Sequence, residues 1–430
     1  MSVLDHTTNF RDVYRAYCGK TEIPLQYNEW CCLALLGAAV QDRVWLEKFR
    51  GFKMVPNMYI MMVGPSASGK DAATDLAENL TDHVPQLGQL RGSITGPGLL
   101  DWLGKEHPDR SGHIVRPPQT AKVWLMTPEL GMAVGVGEIA NKFIKTMTAL
   151  YGRSSHFLDG TRTSGLVSVQ DRCINWLSGS TRDWLVESVP RTAMNSGFMA
   201  RICVVEGYDV MERIGVPQYE PDHYELIAWL KRRLAILASP AFGGEAILTG
   251  EARDVRLSWY HNRPEPPRGD EAAMAAWKRE DDLMLKIAMI LSVAERLDLK
   301  VTADHIREAQ RLATAAHYMM PKLTRIAGET RVTTGVEKIR EILKREGHMQ
   351  HSALLRRMAG GYGVDAKRFR DLMGTLIQSG EVTSDRHGGA EMYVWKRRRV
   401  GGPNGGPPVE EWQVGDSDGN EDTAAEDQPE

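Results

Sequence analysis

The 430-residue sequence is poor in cysteine and has no long uncharged apolar run. From Glu410 to Glu430 it also has no lysine or arginine. The five cysteines, Cys18, Cys31, Cys32, Cys173 and Cys203, form no CxxC pair and no Cys/His ligand spacing. That argues against a disulfide framework or a zinc site and for reduced core thiols in a cytoplasm. Without a run of about 18 or more apolar residues, no membrane span is expected. The opening stretch, MSVLDHTTNFRDVYRAYCGK, is charged and lacks the apolar core of a signal peptide.

The missing basic residues near the end make the net charge misleading. Glu410, Glu411, Asp416, Asp418, Glu421, Asp422, Glu426, Asp427 and Glu430 crowd the tail, and setting these nine aside turns the formal charge of −3 into about +6. A basic body with an acidic tail points to nucleic acid and to a regulating or partner-docking tail.

Patterning gives an α/β chain. Residues 1–55 read as helices, with YNEWCCLALLGAAV (27–40) as one apolar helix. MYIMMV (58–63) is a continuous apolar run between Pro56 and Gly64, the pattern of a buried parallel strand. KVWLM (122–126), CINWL (173–177) and ARICVV (200–205) repeat it, with helical segments between. Residues 156–170 read as a hairpin turning at Asp159-Gly160. Residues 211–330 read as mainly helical, with helices at 271–297 and 302–325, and residues 333–399 as a separate small unit. The segment 400–430 has too little apolar content to fold alone.

Gly64-Pro65-Ser66-Ala67-Ser68-Gly69-Lys70 matches GxxxxGK and lies between a predicted strand and a predicted helix. In that context the glycines let amides wrap phosphates, and Asp71 and Ala72 continue the helix start. Lys70 is expected to reach the β- and γ-phosphates of ATP. Asp71 replaces the usual Ser or Thr that holds Mg²⁺. After KVWLM comes Thr127-Pro128-Glu129, so Pro128 stands where an Asp is usual, and Glu129 remains to polarise water. Two readings follow: a swap in which Asp71 supplies the lost metal carboxylate, with Asp71 and Glu129 as the metal-site pair, or a decayed site that only binds nucleotide.

Strand–GPSASGKD, strand–TPELG, a strand ending WLSGST, and GFMARICVV, in this order, resemble a family of P-loop ATPases of phages, prophages and plasmids. That family is similar to the helicase half of primase–helicases and to AAA+-like replicative helicases. The resemblance covers about residues 10–325. It implies a RecA/AAA+-like core (56–210), N-terminal helices (1–55) and a helical lid (211–330). It also implies a hexameric ring in the cytoplasm of a bacterial host. By the same resemblance, Ser178, Ser180 or Thr181 senses the γ-phosphate, with Thr181 the preferred residue. Arg201 is an arginine finger reaching the neighbouring subunit, and Lys286 is a second sensor.

Residues 333–399 read as a winged helix. Three helices, VEKIREILKRE, QHSALLRRMA and AKRFRDLMGTLIQS, precede a hairpin turning across Arg386-His387-Gly388-Gly389. Lys367, Arg368 and Arg370 open the third helix, and Lys396 and Arg397 follow the wing, where phosphate contacts to DNA are expected. A protein-docking winged helix is the alternative. Arg162, in the 156–170 hairpin and flanked by Lys142, Lys145 and Arg153, is expected to line a channel for single-stranded DNA, or else to sit on a plain surface hairpin. The function expected is an ATP-dependent DNA helicase or translocase in element replication. The alternatives are a slowly hydrolysing switch or loader, or an origin-binding protein.

Overall fold

In a computed structural model, the structure describes residues 8–396 apart from 83, 85–86, 105–106, 109–113, 117–119, 132–137, 153–155, 162–164, 189–196, 208–212, 217–221, 267–270, 363 and 388–389. Two compact units divide the chain, Met1–Val332 and Thr333–Glu430.

The first unit begins with helices α1 (Phe10–Cys18) and α2 (Leu25–Val40), followed by strands β1 (Val44–Phe49) and β2 (Phe52–Met54). Then come β3 (Tyr59–Val63), α3 (Lys70–Glu78), β4 (Gln89–Arg91) and α4 (Gly96–Gly104). A short ribbon of β5 (His107–Pro108) and β6 (Ile114–Arg116) precedes β7 (Thr120–Thr127), α5 (Glu138–Leu150), β8 (His156–Thr161) and β9 (Gly165–Ser180). Helix α6 (Arg182–Ser188) and β10 (Ile202–Glu206) complete the sheet region.

Five strands run parallel in the order β10-β3-β9-β7-β4, an α/β arrangement compatible with a Rossmann- or RecA-like core; β8 adds to β9 antiparallel. Every residue of β3 is buried, as its unbroken apolar run predicts. Successive side chains of a strand face opposite sides. Accordingly Ile60 and Met62 join one core, whereas Tyr59, Met61 and Val63 join another. The first core receives α1, α2 and α3. It also receives α7 (His223–Ala238) and α9 (Glu271–Glu295), which follow the sheet; Leu33, Leu230 and Ile287 meet there. The second receives α4 and α5 through Leu99, Phe143 and Met147. Residues assigned by sequence to 1–55, 56–210 and 211–330 therefore share one core. Truncating a large apolar side chain in such a core costs about 2–5 kcal/mol.

Two expectations are corrected in this unit. Asp159 and Gly160 do not form the turn: they lie within β8, opposite Val167 and Leu166, and the chain reverses after Thr161, which pairs with Gly165. Asp-Gly marks a turn only where the flanking pairing register leaves it unpaired, and here the ladder continues past it. The helix predicted to end near 325 instead runs on as α10 (Ala303–Glu346). Between α7 and α10 lie β11 (Gly244–Glu245), β12 (Ile247–Leu248), α8 (Gly250–Asn262) and β13 (Lys300–Val301). Among the described residues no helix is long and apolar enough to cross a membrane.

The second unit follows the end of α10 with β14 (His348–Gln350), α11 (His351–Tyr362), α12 (Ala366–Gln378), β15 (Val382–His387) and β16 (Ala390–Trp395). Its sheet is antiparallel in the order β14-β16-β15, so the expected two-stranded wing has a third strand. Arg386 and His387 belong to β15, paired with Glu391 and Ala390, rather than to the turn. Asp365 caps α12, accepting a hydrogen bond from the Arg368 amide at 2.8 Å. Phe369, Leu372, Met373 and Leu376 form the buried stripe of α12.

Candidate functional site

The parallel register brings the C-terminal ends of the strands level. Glu206 stands beside Val63, Val63 beside Ser180, Ser178 beside Thr127, and Arg91 beside Met126. In open α/β sheets this edge is where ligands bind. The Gly64–Lys70 loop leaves β3 at that edge and enters α3.

Loop geometry follows from a few close contacts. Tyr27, from α2, donates its hydroxyl to the Val63 carbonyl at 2.9 Å. A Cβ at Gly64 would stand 2.2 Å from that hydroxyl, so only glycine lets the strand end pass over Tyr27. Ala67 and Gly69 take left-handed φ values of 61° and 84°. Such alternation turns amides inward into an anion-binding nest. The first bond into α3 runs from the Ala73 amide to the Gly69 carbonyl at 2.9 Å. The amides of Lys70, Asp71 and Ala72 therefore have no intrahelical acceptor, and the helix start presents positive potential.

Lys70 is buried, and its Nζ donates to the Gly64 carbonyl (3.0 Å), the Pro65 carbonyl (2.7 Å) and Ser68 Oγ (3.1 Å). Burial lowers its pKa, while the charges of Asp71 and Glu129 oppose the shift. Both carboxylates thus act on the same ammonium, and both are solvent-exposed. Gly179 of β9 closes the gap to the acidic strand: a Cβ there would lie 2.4 Å from the Pro128 carbonyl and 3.7 Å from Lys70 Cβ. Lys70, Asp71, Glu129 and the β9 end are therefore gathered at this edge. The carboxylates and free amides suit a hydrated divalent cation with a phosphate chain; Mg²⁺ commonly takes one or two carboxylates with phosphate oxygens.

The three candidate sensor residues differ. Ser178 is buried within a chain in which Trp176 Nε1 donates to Thr127 Oγ1 (2.9 Å) and Thr127 Oγ1 donates to Ser178 Oγ (2.9 Å). Thr181 caps α6, its Oγ1 accepting from the Trp184 amide at 3.2 Å. Ser180 is beside the loop, its carbonyl accepting from the Gly64 amide at 3.1 Å.

Sequence reading missed a pair at this edge. Arg182, the first residue of α6, donates through Nε to buried Glu206 at 2.7 Å. Nothing in the local sequence joins residues 24 positions apart; only the placement of β10 and β9 on either side of β3 does.

Other predicted residues lie elsewhere. Arg201 precedes β10, at the opposite sheet edge, with Nη1 donating to the Gly197 carbonyl and its guanidinium 5.7 Å from the Tyr151 ring centre. Lys286 also lies there. Its Nζ donates to the Asn57 carbonyl (2.9 Å) and to Asn57 Oδ1 (2.7 Å), ahead of β3. Lys286, the expected second sensor, is thus a buried cation held on Asn57, at the N-terminal side of β3 and away from the Lys70 loop. In the second unit Lys367, Arg370 and Lys396 are exposed, and Arg368 is half-buried. Arg162, Arg153, Arg397 and the 400–430 tail lie outside the described residues. All five cysteines are buried.

No protein-family model matches the chain, and no curated protein is significantly similar to it.

Proposed function

We propose that this chain is a P-loop ATPase with a RecA/AAA+-like core that acts on DNA, as a ring helicase or translocase of a phage or mobile element. The observation that carries the reading is the gathering of Lys70, Asp71 and Glu129 at one sheet edge, around a loop whose free amides face a helix start. The strand β9, with its polar end, lies between the P-loop strand β3 and the acidic strand β7, which supports the sensor assignment.

In this reading the amides and Lys70 bind the phosphates of ATP. Asp71 and Glu129 hold Mg²⁺, which neutralises phosphate charge when bound, and Glu129 orients the attacking water. Arg201 acts on a neighbouring subunit's nucleotide, because it lies at the edge away from its own loop. The second unit is a winged helix that meets DNA through Lys367, Arg368, Arg370 and Lys396, and the 156–170 hairpin contacts single-stranded DNA. ATPase measured with and without single-stranded DNA tests the proposal: stimulation supports a motor, and equal rates sink it. Pro128 in the usual carboxylate position favours a second reading, a switch or loader that binds ATP and hydrolyses it slowly.

A further inference from the structure

On the sheet edge away from the Gly64–Lys70 loop lies a cavity of ≈ 160 Å³ whose walls include Lys53, Tyr151, Arg201, Arg279, Lys286 and His317. Four of these six side chains are cations. Asp282 also reaches the cavity, but its carboxylate is engaged by Lys48. The other charges have little to balance them. Among the described residues Lys286 donates to Asn57 alone, and it lies 4.2 Å from the Tyr151 ring centre. Lys53 rests 3.9 Å from the Trp45 ring centre. Arg279 has no hydrogen bond or ion pair among the described residues. Arg201 Nε and His317 Nδ1 are buried without a hydrogen-bond partner.

The cations also act against one another. Burial first, and then the charge of Arg279, lowers the pKa of Arg201. Lys286 is lowered to about 8 by burial, with Arg279 adding to the shift. With Lys286 buried, Arg201 and Arg279 half-buried and one shared carboxylate already occupied, gathering these cations is costly unless an anion joins them.

We propose that this cavity binds a phosphoryl group, at a site separate from the Gly64–Lys70 loop. Arginine presents a planar fork that matches phosphate oxygens, and Lys286 supplies a fixed donor beside it. Arg279 is the free fork and Arg201 the half-buried one, while Lys53 closes the rim. The phosphoryl group arrives either on a free small anion or on the nucleotide of a second copy; the latter source rests on the ATPase reading above.

The experiment titrates full-length protein with inorganic pyrophosphate and with ATP by calorimetry, and follows self-association by sedimentation. Wild type, Lys70→Ala, Arg279→Gln and Arg279→Lys are compared. Replacing Arg279 orphans no partner among the described residues, so Arg279→Gln is expected to keep the fold, which circular dichroism checks. For a free anion, Lys70→Ala loses the loop's pyrophosphate site and keeps a second one. The affinity of that second site then falls at least tenfold in Arg279→Gln, and Arg279→Lys retains most of it. For an anion carried by a second copy, Arg279→Gln instead removes ATP-dependent self-association and leaves ATP affinity unchanged. Succinate, which offers carboxylates, competes weakly; equal competition overturns the phosphoryl assignment. If Arg279→Gln changes neither pyrophosphate binding nor self-association, the proposal is wrong. Failure of the ATPase reading shows separately, as ATP affinity unchanged by Lys70→Ala.

Discussion

Lys70 follows the C-terminal end of β3, and Arg201 precedes the N-terminal end of the adjacent strand β10, with Tyr59 opposite Ile202 and Val63 opposite Glu206. Five residues of strand, about 16 Å at 3.3 Å per residue, separate the two side chains along the sheet. Arg201 therefore cannot serve a phosphate held by its own Lys70. Arg201→Ala is expected to leave ATP affinity nearly unchanged and to lower turnover by about 10³-fold if it is a finger. Mixing Arg201→Ala with Glu129→Gln subunits should restore part of the activity. Intact assemblies without complementation would argue against the role in trans.

Lys70→Ala should abolish nucleotide binding. The three acceptors that hold its ammonium, Gly64, Pro65 and Ser68, all belong to the loop, so the lysine is the loop's own cation. Equilibrium binding of a fluorescent ATP analogue checks this, and retained affinity would remove the phosphate assignment.

Asp71→Ala separates the swapped metal site from the decayed one. If Asp71 sits in the metal shell, the Mg²⁺ concentration needed for ATPase rises and hydrolysis slows, with little effect on metal-free binding. Asp71→Ser with Pro128→Asp should recover activity lost in Asp71→Ser alone. Tighter ATP binding by Asp71→Ala, with no wild-type hydrolysis at any Mg²⁺ concentration, would favour a site that only binds.

Gly179→Ala should destabilise the fold by about 1–3 kcal/mol, because its Cβ would press on the Pro128 carbonyl at 2.4 Å and force two neighbouring strand ends apart. Gly152→Ala is the control, since nothing lies within 4 Å of the Cβ it would add. Urea unfolding of the two variants decides; equal midpoints would show that the strand ends yield without strain.

His317 gives a pH signature. Burial, and then Arg263 and Arg279, lower its pKa from 6.5 to about 4. The unfolded chain takes up the proton first as pH falls, so stability is lost from about 6.5 down to about 4 and the loss stops there. His317→Gln should lose less stability than wild type between about pH 7 and about pH 5. A parallel decline in both proteins would show that His317 does not titrate in this way.

What could be read from sequence was the local part. An uncharged run such as MYIMMV between Pro56 and Gly64 specifies a buried strand by its own composition, and the loop after it by its glycines. Asp365 likewise announces the helix it caps. The rest depended on partners distant in sequence. The pairing of Thr161 with Gly165 overrode Asp159-Gly160 as a turn, and Lys286 found its acceptors on Asn57, 229 residues away. Arg182 and Glu206 meet only because β10 and β9 flank β3. Thr181 reads from sequence as a polar residue after a buried strand, and only the structure shows its Oγ1 accepting from the Trp184 amide.

The continuity of β9 has a mechanical meaning. One strand of 16 residues carries the hairpin pairing at one end and Ser180, beside the Gly64 amide, at the other. Between them Asp171 takes a left-handed φ of 46°, and the pairing with β7 shifts there. One strand with a bulge at Asp171 therefore joins the edge beside the loop to the hairpin pairing, so a shift of Ser180 along the strand would meet no intervening loop in which to dissipate.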